Sequence, residues 1–215
     1  MEVISGNLDL WVKALRGTLD LFAGGGLLAL VLGTLVCVMR VSPVPIVRII
    51  GTVYVTLVRN TPLTLLFFFF IFGYPQLDLP KLGAMPLSIF AIGVYTAVYV
   101  AEVLRAGINT LPAGQIEAAR ALGFSFAQVI RLIVLPQAFR SVLPPMMSVF
   151  IALVKNTTVA AGFSVLELGA VRAYLSERGE NALVVLLWVC LIFVIFSLLL
   201  GGLQRYLEKR WRIVR

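Results

Sequence analysis

Long apolar stretches separated by shorter polar segments run along the chain and predict five membrane-spanning helices. A bilayer core of about 30 Å needs roughly 20 mostly apolar residues per helix. The stretches that meet this length are 19–39, 53–74, 85–104, 141–166 and 182–203. Arg59, Asn60 and Pro62 interrupt the start of the second stretch, and Lys155 and Asn156 lie inside the fourth. The whole chain is thus predicted to be one all-α integral membrane domain.

The composition agrees with a lipid environment. Of the 215 residues, 60% are hydrophobic and 13% are charged, and the mean hydropathy is +1.02. Soluble domains are about 45–50% apolar and about 25% charged, so a soluble enzyme is excluded. The chain has no histidine, and Cys37 and Cys190 stand far apart within apolar stretches. These two cysteines have no metal-ligand spacing, and we interpret both as small hydrophobic residues.

The basic residues, which give a net charge of +8, predict the orientation in the membrane. The N-terminal segment and the segments after the second and fourth spans hold five Lys or Arg residues, whereas the opposite segments hold twelve. Because the basic excess marks the cytoplasmic side, the chain is predicted to cross the cell membrane with its N-terminus outside and its C-terminus in the cytoplasm. Anionic lipid is the expected partner of this charge, and nucleic acid is not. The first twenty residues lack the features of a cleaved signal peptide, so the first span is expected to remain as an anchor.

The longest polar stretch, 106–140, lies between the third and fourth predicted spans, on the predicted cytoplasmic side. Pro112 suits the first turn of a helix. Gly123 can adopt a positive φ after that helix, and Ser125 can cap a second helix. Pro136 is expected to end the second helix. The loop is therefore predicted to form a short helix, a sharp turn and another short helix.

This loop carries a family signature. Residues 117–123 read Glu-Ala-Ala-Arg-Ala-Leu-Gly and residues 133–136 read Ile-Val-Leu-Pro, which resembles the "EAA…G…I-x-LP" signature of the membrane subunits of ATP-binding-cassette importers. In that family the loop docks into a groove of the cytoplasmic ATPase and transmits its closing movement. The resemblance assigns this contact to Glu117, Ala118, Ala119, Gly123, Ile133, Leu135 and Pro136. The alternative is an amphipathic helix lying on the membrane, which favours aromatic residues and lysines; residues 117–122 contain neither.

ATP and Mg are expected to bind to that partner ATPase. A phosphate-binding loop has the pattern G-x-x-x-x-G-K-[ST], and none of the four lysines is followed by Ser or Thr: Lys13, Lys81, Lys155 and Lys209. The resemblance therefore implies a permease that is not an enzyme and holds no cofactor of its own.

Three further segments resemble the polar amino-acid branch of these permeases, whose members carry histidine, arginine, glutamine, glutamate and similar substrates. These segments are 59–62 (Arg-Asn-Thr-Pro), 99–107 and 153–157 (Leu-Val-Lys-Asn-Thr). The resemblance implies five spans per subunit, a second permease subunit of the same or a sister chain, two ATPase subunits and an extracytoplasmic amino-acid-binding protein. Residues 39–45 and 54–74 resemble subunits of glutamate uptake systems, so glutamate or a related amino acid is the expected substrate.

The polar residues inside the fourth span have two interpretations. A charged side chain at the bilayer centre costs at least about 2.5 kcal/mol, so it usually faces a cavity or a partner. Lys155, Asn156, Thr157 and Thr158 are expected to line the substrate path, where a lysine suits a carboxylate. In the alternative interpretation Lys155 is structural and pairs with Glu102 or caps the carbonyl groups of a broken helix.

Glu102 and Arg105 are three positions apart on one helix face and are expected to pair. Their position near the cytoplasmic end indicates a gate or a scaffold, and Arg59 is assigned to the same class. The intramembrane charges also leave open a secondary transporter or channel driven by an ion gradient, which would work without ATP. A purely structural membrane scaffold is a third interpretation, and the intramembrane charges argue against it.

Overall fold

The computed structural model describes residues 2–110 and 112–210, and these residues form helices and connecting turns with no strand among them. In chain order the α-helices are α1 (Glu2–Ser5), α2 (Leu8–Val41), α3 (Pro45–Arg59), α4 (Leu63–Phe68), α5 (Ala84–Asn109), α6 (Ala113–Ala121), α7 (Phe126–Val129), α8 (Leu135–Asn156), α9 (Val171–Glu177) and α10 (Ala182–Arg210). Phe69–Gly73 and Ile130–Val134 are π-helical, and Tyr74–Gln76, Thr157–Phe163 and Leu168–Ala170 are 3₁₀-helical. The predicted all-α fold class is confirmed.

The helices that are long and apolar enough to cross a membrane are Leu8–Val41, Ala84–Asn109, Ala127–Phe163 and Ala182–Arg210. A further crossing is present if the bent pair Pro45–Arg59 and Leu63–Gln76 is counted as one span. The described part of the chain therefore holds four or five candidate spans.

The bent pair coincides with the polar interruption in the second predicted span. Its two halves turn by 102° between Arg59 and Leu63. Pro62 causes the break because it has no N–H to donate and disfavours helical geometry at the residue before it. The 15 residues of α3 reach only about 22 Å at 1.5 Å per residue, which is less than the hydrocarbon core.

α2 and α5 share the most extensive helix–helix contact of the described chain, and they run in the same direction. Gly24 of α2 faces Ile89 of α5, and Gly33 faces Val100. A Cβ added to Gly33 would lie 2.6 Å from the Cβ of Val100, so this close approach requires a glycine. The chain must return between two helices of the same direction, and α3 with α4 is the segment that makes this return.

α8 runs opposite to α5. Gly107, near the end of α5, faces Val142 near the start of α8. Further along, Leu153 of α8 belongs to the same buried cluster as Ile92 of α5. α6 lies at the end of the bundle where α5 finishes and α8 begins, and we call this end the hairpin end.

α10 runs opposite to α8, as two contacts at different heights of the bundle show. Gln204, late in α10, donates a hydrogen bond to the hydroxyl of Ser148 in α8 at 3.3 Å. At the other extreme of α10, Val185 packs in a buried cluster with Leu10 of α2 and with α9. The first residues of α2 and α10 therefore meet at one end of the bundle. We call this the distal end.

The prediction that Pro136 ends the second helix of the loop is wrong. α7, the π-helical turn Ile130–Val134 and α8 form one continuous helix that is followed to Phe163. Pro136 stands in the first turn of α8, directly after the π-helical turn. A π turn contains one extra residue and shifts the hydrogen-bond ladder, so the missing N–H and the ring of Pro136 are accommodated there. The second arm of the loop thus continues directly into the bundle.

Candidate functional site

The loop between α5 and α8 forms a helical hairpin, and its turn follows from local sequence. After α6, Gly123 has a positive φ of +89°, as predicted. Its N–H donates to the carbonyl of Arg120 at 3.0 Å, and the N–H of Phe124 donates to the carbonyl of Ala119 at 3.2 Å. This pair of bonds is a Schellman motif, which satisfies the last carbonyl groups of a helix. We call residues 113–129 the hairpin.

The second arm of the hairpin begins with a capping box. The N–H of Ser125 donates to Oε1 of Gln128 at 2.9 Å, and the N–H of Gln128 donates to Oγ of Ser125 at 3.4 Å. This reciprocal arrangement satisfies two N–H groups that a helix start leaves unpaired. The predicted capping role of Ser125 is confirmed.

The residues that resemble the family signature divide into an exposed and a buried set. Glu117, Ala118 and Gly123 are exposed, whereas Ala119 is only 5% exposed. Leu122 is 78% exposed, a high value for a large apolar side chain. The exposed face of α6 and the turn therefore combines a carboxylate, a small residue and a leucine.

The remaining signature residues lie where the hairpin enters the bundle. Leu135 and Pro136 are exposed and Ile133 is half-buried. The amide of Gln137 in α8 donates to the amide oxygen of Gln115 in α6 at 3.0 Å. This bond links the first arm of the hairpin to the helix that continues into the membrane.

A cavity of about 400 Å³ opens between α5 and α8. Its polar lining consists of Tyr95, Thr96, Tyr99, Ser148 and Asn156. The hydroxyl groups of Tyr95 and Tyr99 are 3.0 Å apart and hydrogen-bonded to each other. These residues lie within two of the candidate spans, so the cavity offers hydroxyl and amide groups within helices that are otherwise largely apolar.

The four predicted path residues face different surroundings. Asn156 lines the cavity. Thr157 is fully buried, and its hydroxyl donates to the carbonyl of Val154 at 2.7 Å. The hydroxyl of Thr158 donates to the carbonyl of Lys155 at 2.7 Å. Each threonine hydroxyl group therefore donates to a backbone carbonyl group three residues earlier in the same chain segment.

Lys155 is exposed, and its ammonium group forms no ion pair with the described residues. No ion pair joins Lys155 to Glu102 in the described chain, where Glu102 has other cationic partners. Arg105 is one of them, at 3.2 Å, as predicted. Arg40 of α2 is the other, and it was missed because the sequence does not indicate which helix packs on α5.

The Arg40, Glu102 and Arg105 side chains form a charged cluster that joins α2 to α5 near the hairpin end. Their side chains are 13%, 27% and 38% exposed, in that order. Arg59 does not belong to this cluster. It stands exposed at the end of α3, beside the break in the second predicted span.

Among the described residues, no three His, Cys, Asp or Glu side chains are grouped so that they could hold a metal ion.

A helical bundle with apolar spans, a polar cavity between two of them and an exposed hairpin at one end is the architecture of a membrane permease. A family model for binding-protein-dependent transport system inner membrane components matches residues 25–213. The chain belongs to this family, and it is the permease subunit of an ATP-binding-cassette importer. The gradient-driven alternative is not favoured by this membership.

Two relatives agree with this assignment, and one solved structure shares the fold. The glutamate transport system permease protein GluC of Corynebacterium efficiens is 40% identical over 205 residues, which is 89% of this chain and 90% of the relative. The probable glutamine ABC transporter permease protein GlnM of Bacillus subtilis is 37% identical over 180 residues, 84% of this chain and 83% of the relative. The crystal structure of an amino acid ABC transporter with histidines has the same fold, with a TM-score of 0.90 at 24% identity and 96% of each chain covered.

Proposed function

We propose that this permease subunit imports glutamate or a closely related amino acid through the cavity between α5 and α8. The names of the relatives support this substrate class, since the two described above are assigned to glutamate and glutamine transport. The observation that carries the proposal is that Lys155, which directly precedes the cavity residue Asn156 in the chain, is exposed and forms no ion pair with the described residues. A cation within a span is costly unless it faces water or an anionic partner, and a substrate carboxylate is such a partner.

The cavity chemistry suits an amino acid. Tyr95, Tyr99 and Ser148 offer hydroxyl groups that both donate and accept, and Asn156 offers an amide with both capacities. These groups match the ammonium and carboxylate of any amino acid, while Lys155 adds selectivity for a second carboxylate. The hydroxyl groups of Thr157 and Thr158 donate to backbone carbonyl groups of their own segment, so these two residues contribute to the shape of the path.

Coupling to ATP is proposed to occur at the hairpin. Glu117, Ala118, Leu122 and Gly123 form its exposed face, and we propose that this face docks into a groove of a cytoplasmic ATPase that binds ATP and Mg. The bond between Gln115 and Gln137 then transfers the movement to α8. Ile133, Leu135 and Pro136 lie at the junction and contribute to the same contact.

The charged cluster is proposed to act as an inner gate or a rigid scaffold. Glu102 of α5 holds Arg40 and Arg105, and its position near the hairpin end is on the proposed cytoplasmic side. Arg59, at the break after α3, is proposed to support the bend.

The membrane arrangement completes the proposal. The chain is proposed to cross the membrane five times, at 19–39, 53–74, 85–104, 141–166 and 182–203, with the loop 106–140 and the C-terminus in the cytoplasm. It forms a dimer with a second permease subunit and receives substrate from an extracytoplasmic amino-acid-binding protein. ATP hydrolysis is supplied by the partner ATPase, and this chain itself is not an enzyme.

Uptake of labelled glutamate and glutamine into liposomes tests the proposal, with the full complex of permease, ATPase and binding protein reconstituted. Lys155→Met should lower glutamate uptake by about tenfold or more and glutamine uptake less, because only glutamate carries the second carboxylate. Lys209→Met, at the exposed end of α10, is the control and should leave both unchanged. Glutamate uptake without ATP, or an equal loss of assembly and uptake in Lys155→Met, would contradict the proposal.

A further inference from the structure

The chain changes its helix type directly after the cavity residue Asn156. α8 ends there, and Thr157–Phe163 continues as a 3₁₀-helix. Ser164 then takes the left-handed conformation, with φ of 60°. A 3₁₀-helix has poorer hydrogen-bond geometry than an α-helix and is uncommon at this length. The position of this segment therefore requires support from elsewhere in the molecule.

Glu167 provides a fixed point just beyond the segment. Its side chain is fully buried and lies outside the candidate membrane spans. Oε1 accepts the N–H of Ala170 at 2.9 Å, so the carboxylate caps the 3₁₀-helix Leu168–Ala170 that leads into α9. Burying a carboxylate is costly unless its oxygens receive hydrogen bonds, and the neighbouring N–H groups supply them.

Thr18 of α2 ties this fixed point to the main bundle, although 149 residues separate it from Glu167. The Thr18 hydroxyl accepts the N–H of Leu168 at 3.0 Å and donates to Oε2 of Glu167 at 3.5 Å. Thr18 is itself buried, with 1% of its surface exposed. At the preceding position, a Cβ on Gly17 would collide with the carbonyl oxygen of Leu166, so the loop lies directly against the α2 backbone. We call Thr18 and Glu167 the distal anchor.

The distal anchor reaches the substrate path through Gly169. A Cβ on Gly169 would lie 2.6 Å from Oε1 of Glu167 and 3.4 Å from the Cβ of Thr158. Gly169 is therefore enclosed between the buried carboxylate and the path residue. Any displacement of Glu167 moves the surface against which Thr158 packs, two residues from Asn156.

We propose that Glu167 is a positioning residue for substrate binding: with Thr18 it holds the 3₁₀ segment Thr157–Phe163 against α2 and so sets the orientation of Asn156 in the cavity. This inference rests on the function proposed above, because it requires that the cavity binds the transported amino acid. The carboxylate does not touch the substrate. It acts through Gly169 and Thr158.

Transport kinetics of the reconstituted complex test the inference, with KM and Vmax for glutamate measured per assembled complex. Glu167→Ala removes the acceptor for the Ala170 N–H and should raise KM about tenfold with Vmax changed less than twofold, since small displacements of binding groups are costly. Glu167→Gln keeps an oxygen at the same place and should retain a KM near that of the native chain. Glu177→Gln, at an exposed position of α9, is the matched control.

Thr18 variants provide an independent arm that leaves the carboxylate in place. Thr18→Val removes the hydroxyl with little change of shape and should raise KM. Thr18→Ser keeps the hydroxyl and should leave KM near that of the native chain. If Glu167→Ala fails to assemble, the two Thr18 variants still test whether the distal anchor affects substrate binding. An unchanged KM in Thr18→Val together with a reduced amount of complex would overturn the inference and leave a purely structural role. Absence of ATP-dependent glutamate uptake by the native complex would instead overturn the proposed function.

Discussion

Arg40 at the end of α2 forms an ion pair with Glu102 of α5, although 62 residues separate them in the chain. Glu102 also accepts from Arg105 of its own helix at 3.2 Å. The carboxylate therefore connects two parallel helices near the hairpin end. Breaking a connection of this kind is expected to lower the stability of the bundle, because it separates α2 from α5.

Arg40→Gln should destabilise the bundle by about 1.5–3 kcal/mol, the usual value of a hydrogen bond to a charged group. It should also raise substrate leakage from loaded liposomes in the absence of ATP if the cluster is a gate. Melting temperature and efflux rate measure the two effects. Arg48→Gln, an exposed arginine of α3, serves as the control. The exchange Arg40→Glu with Glu102→Arg should recover part of the stability. A native melting temperature and a native efflux rate in Arg40→Gln would rule out a role for this pair.

Leu122→Asp should weaken the binding of the ATPase without unfolding the permease. The side chain is 78% exposed, so a charge there costs no core packing in the isolated chain, whereas a docked leucine loses its apolar contact. We expect ATPase recovery on co-purification to fall at least tenfold, with an unchanged melting temperature of the free permease. Ala121→Asp, at a neighbouring exposed position, is the comparison variant. Equal ATPase recovery in the native chain and in Leu122→Asp would mean that the partner binds elsewhere.

Gly33→Ala should destabilise the contact between α2 and α5. The added Cβ would meet the Cβ of Val100 at 2.6 Å and the carbonyl oxygen of Ala97 at 2.8 Å, and overpacking of this kind costs about 1–3 kcal/mol. Gly202→Ala in α10 is the control, because nothing lies within 4 Å of its added Cβ. That control should be neutral or slightly stabilising, as alanine favours helix. Thermal unfolding measures both, and Val100→Ala should partly rescue Gly33→Ala.

Stability should depend on pH through Glu167. Burial raises the pKa of this carboxyl above its ordinary value of 4.5, against the opposing effect of the N–H groups of Gly169 and Ala170 and the Thr18 hydroxyl. The folded protein thus holds the proton more strongly than the unfolded chain. The resulting stability is fully present below about pH 4.5 and is lost as the pH rises through the higher folded-state pKa.

Glu167→Gln mimics the protonated side chain and measures this effect. The melting temperature of the variant minus that of the native chain should grow as the pH is raised from about 4 towards neutrality. Glu177→Gln should show no such trend. A constant difference across this range would contradict a raised pKa at Glu167.

Local rules predicted part of the hairpin correctly. Gly123 has the positive φ expected after a helix, and Ser125 caps the second arm, because both features depend on residues within one turn. Pro136 was misjudged because its effect depends on the π-helical turn Ile130–Val134 before it. Such a turn has no distinct residue signature, so the general rule that proline ends a helix gave the wrong result.

The amino-acid sequence by itself determined the all-helical membrane class and the turn of the hairpin, since hydropathy over about 20 residues and turn chemistry over a few residues are local quantities. Only the tertiary structure decided which side chains meet. Arg40 joins Glu102, and Thr18 joins Glu167, because helices far apart in the chain pack side by side. In a span that is apolar on every face, no polar stripe marks the side that is buried. The contacts between helices therefore follow from packing geometry, which periodicity alone does not contain.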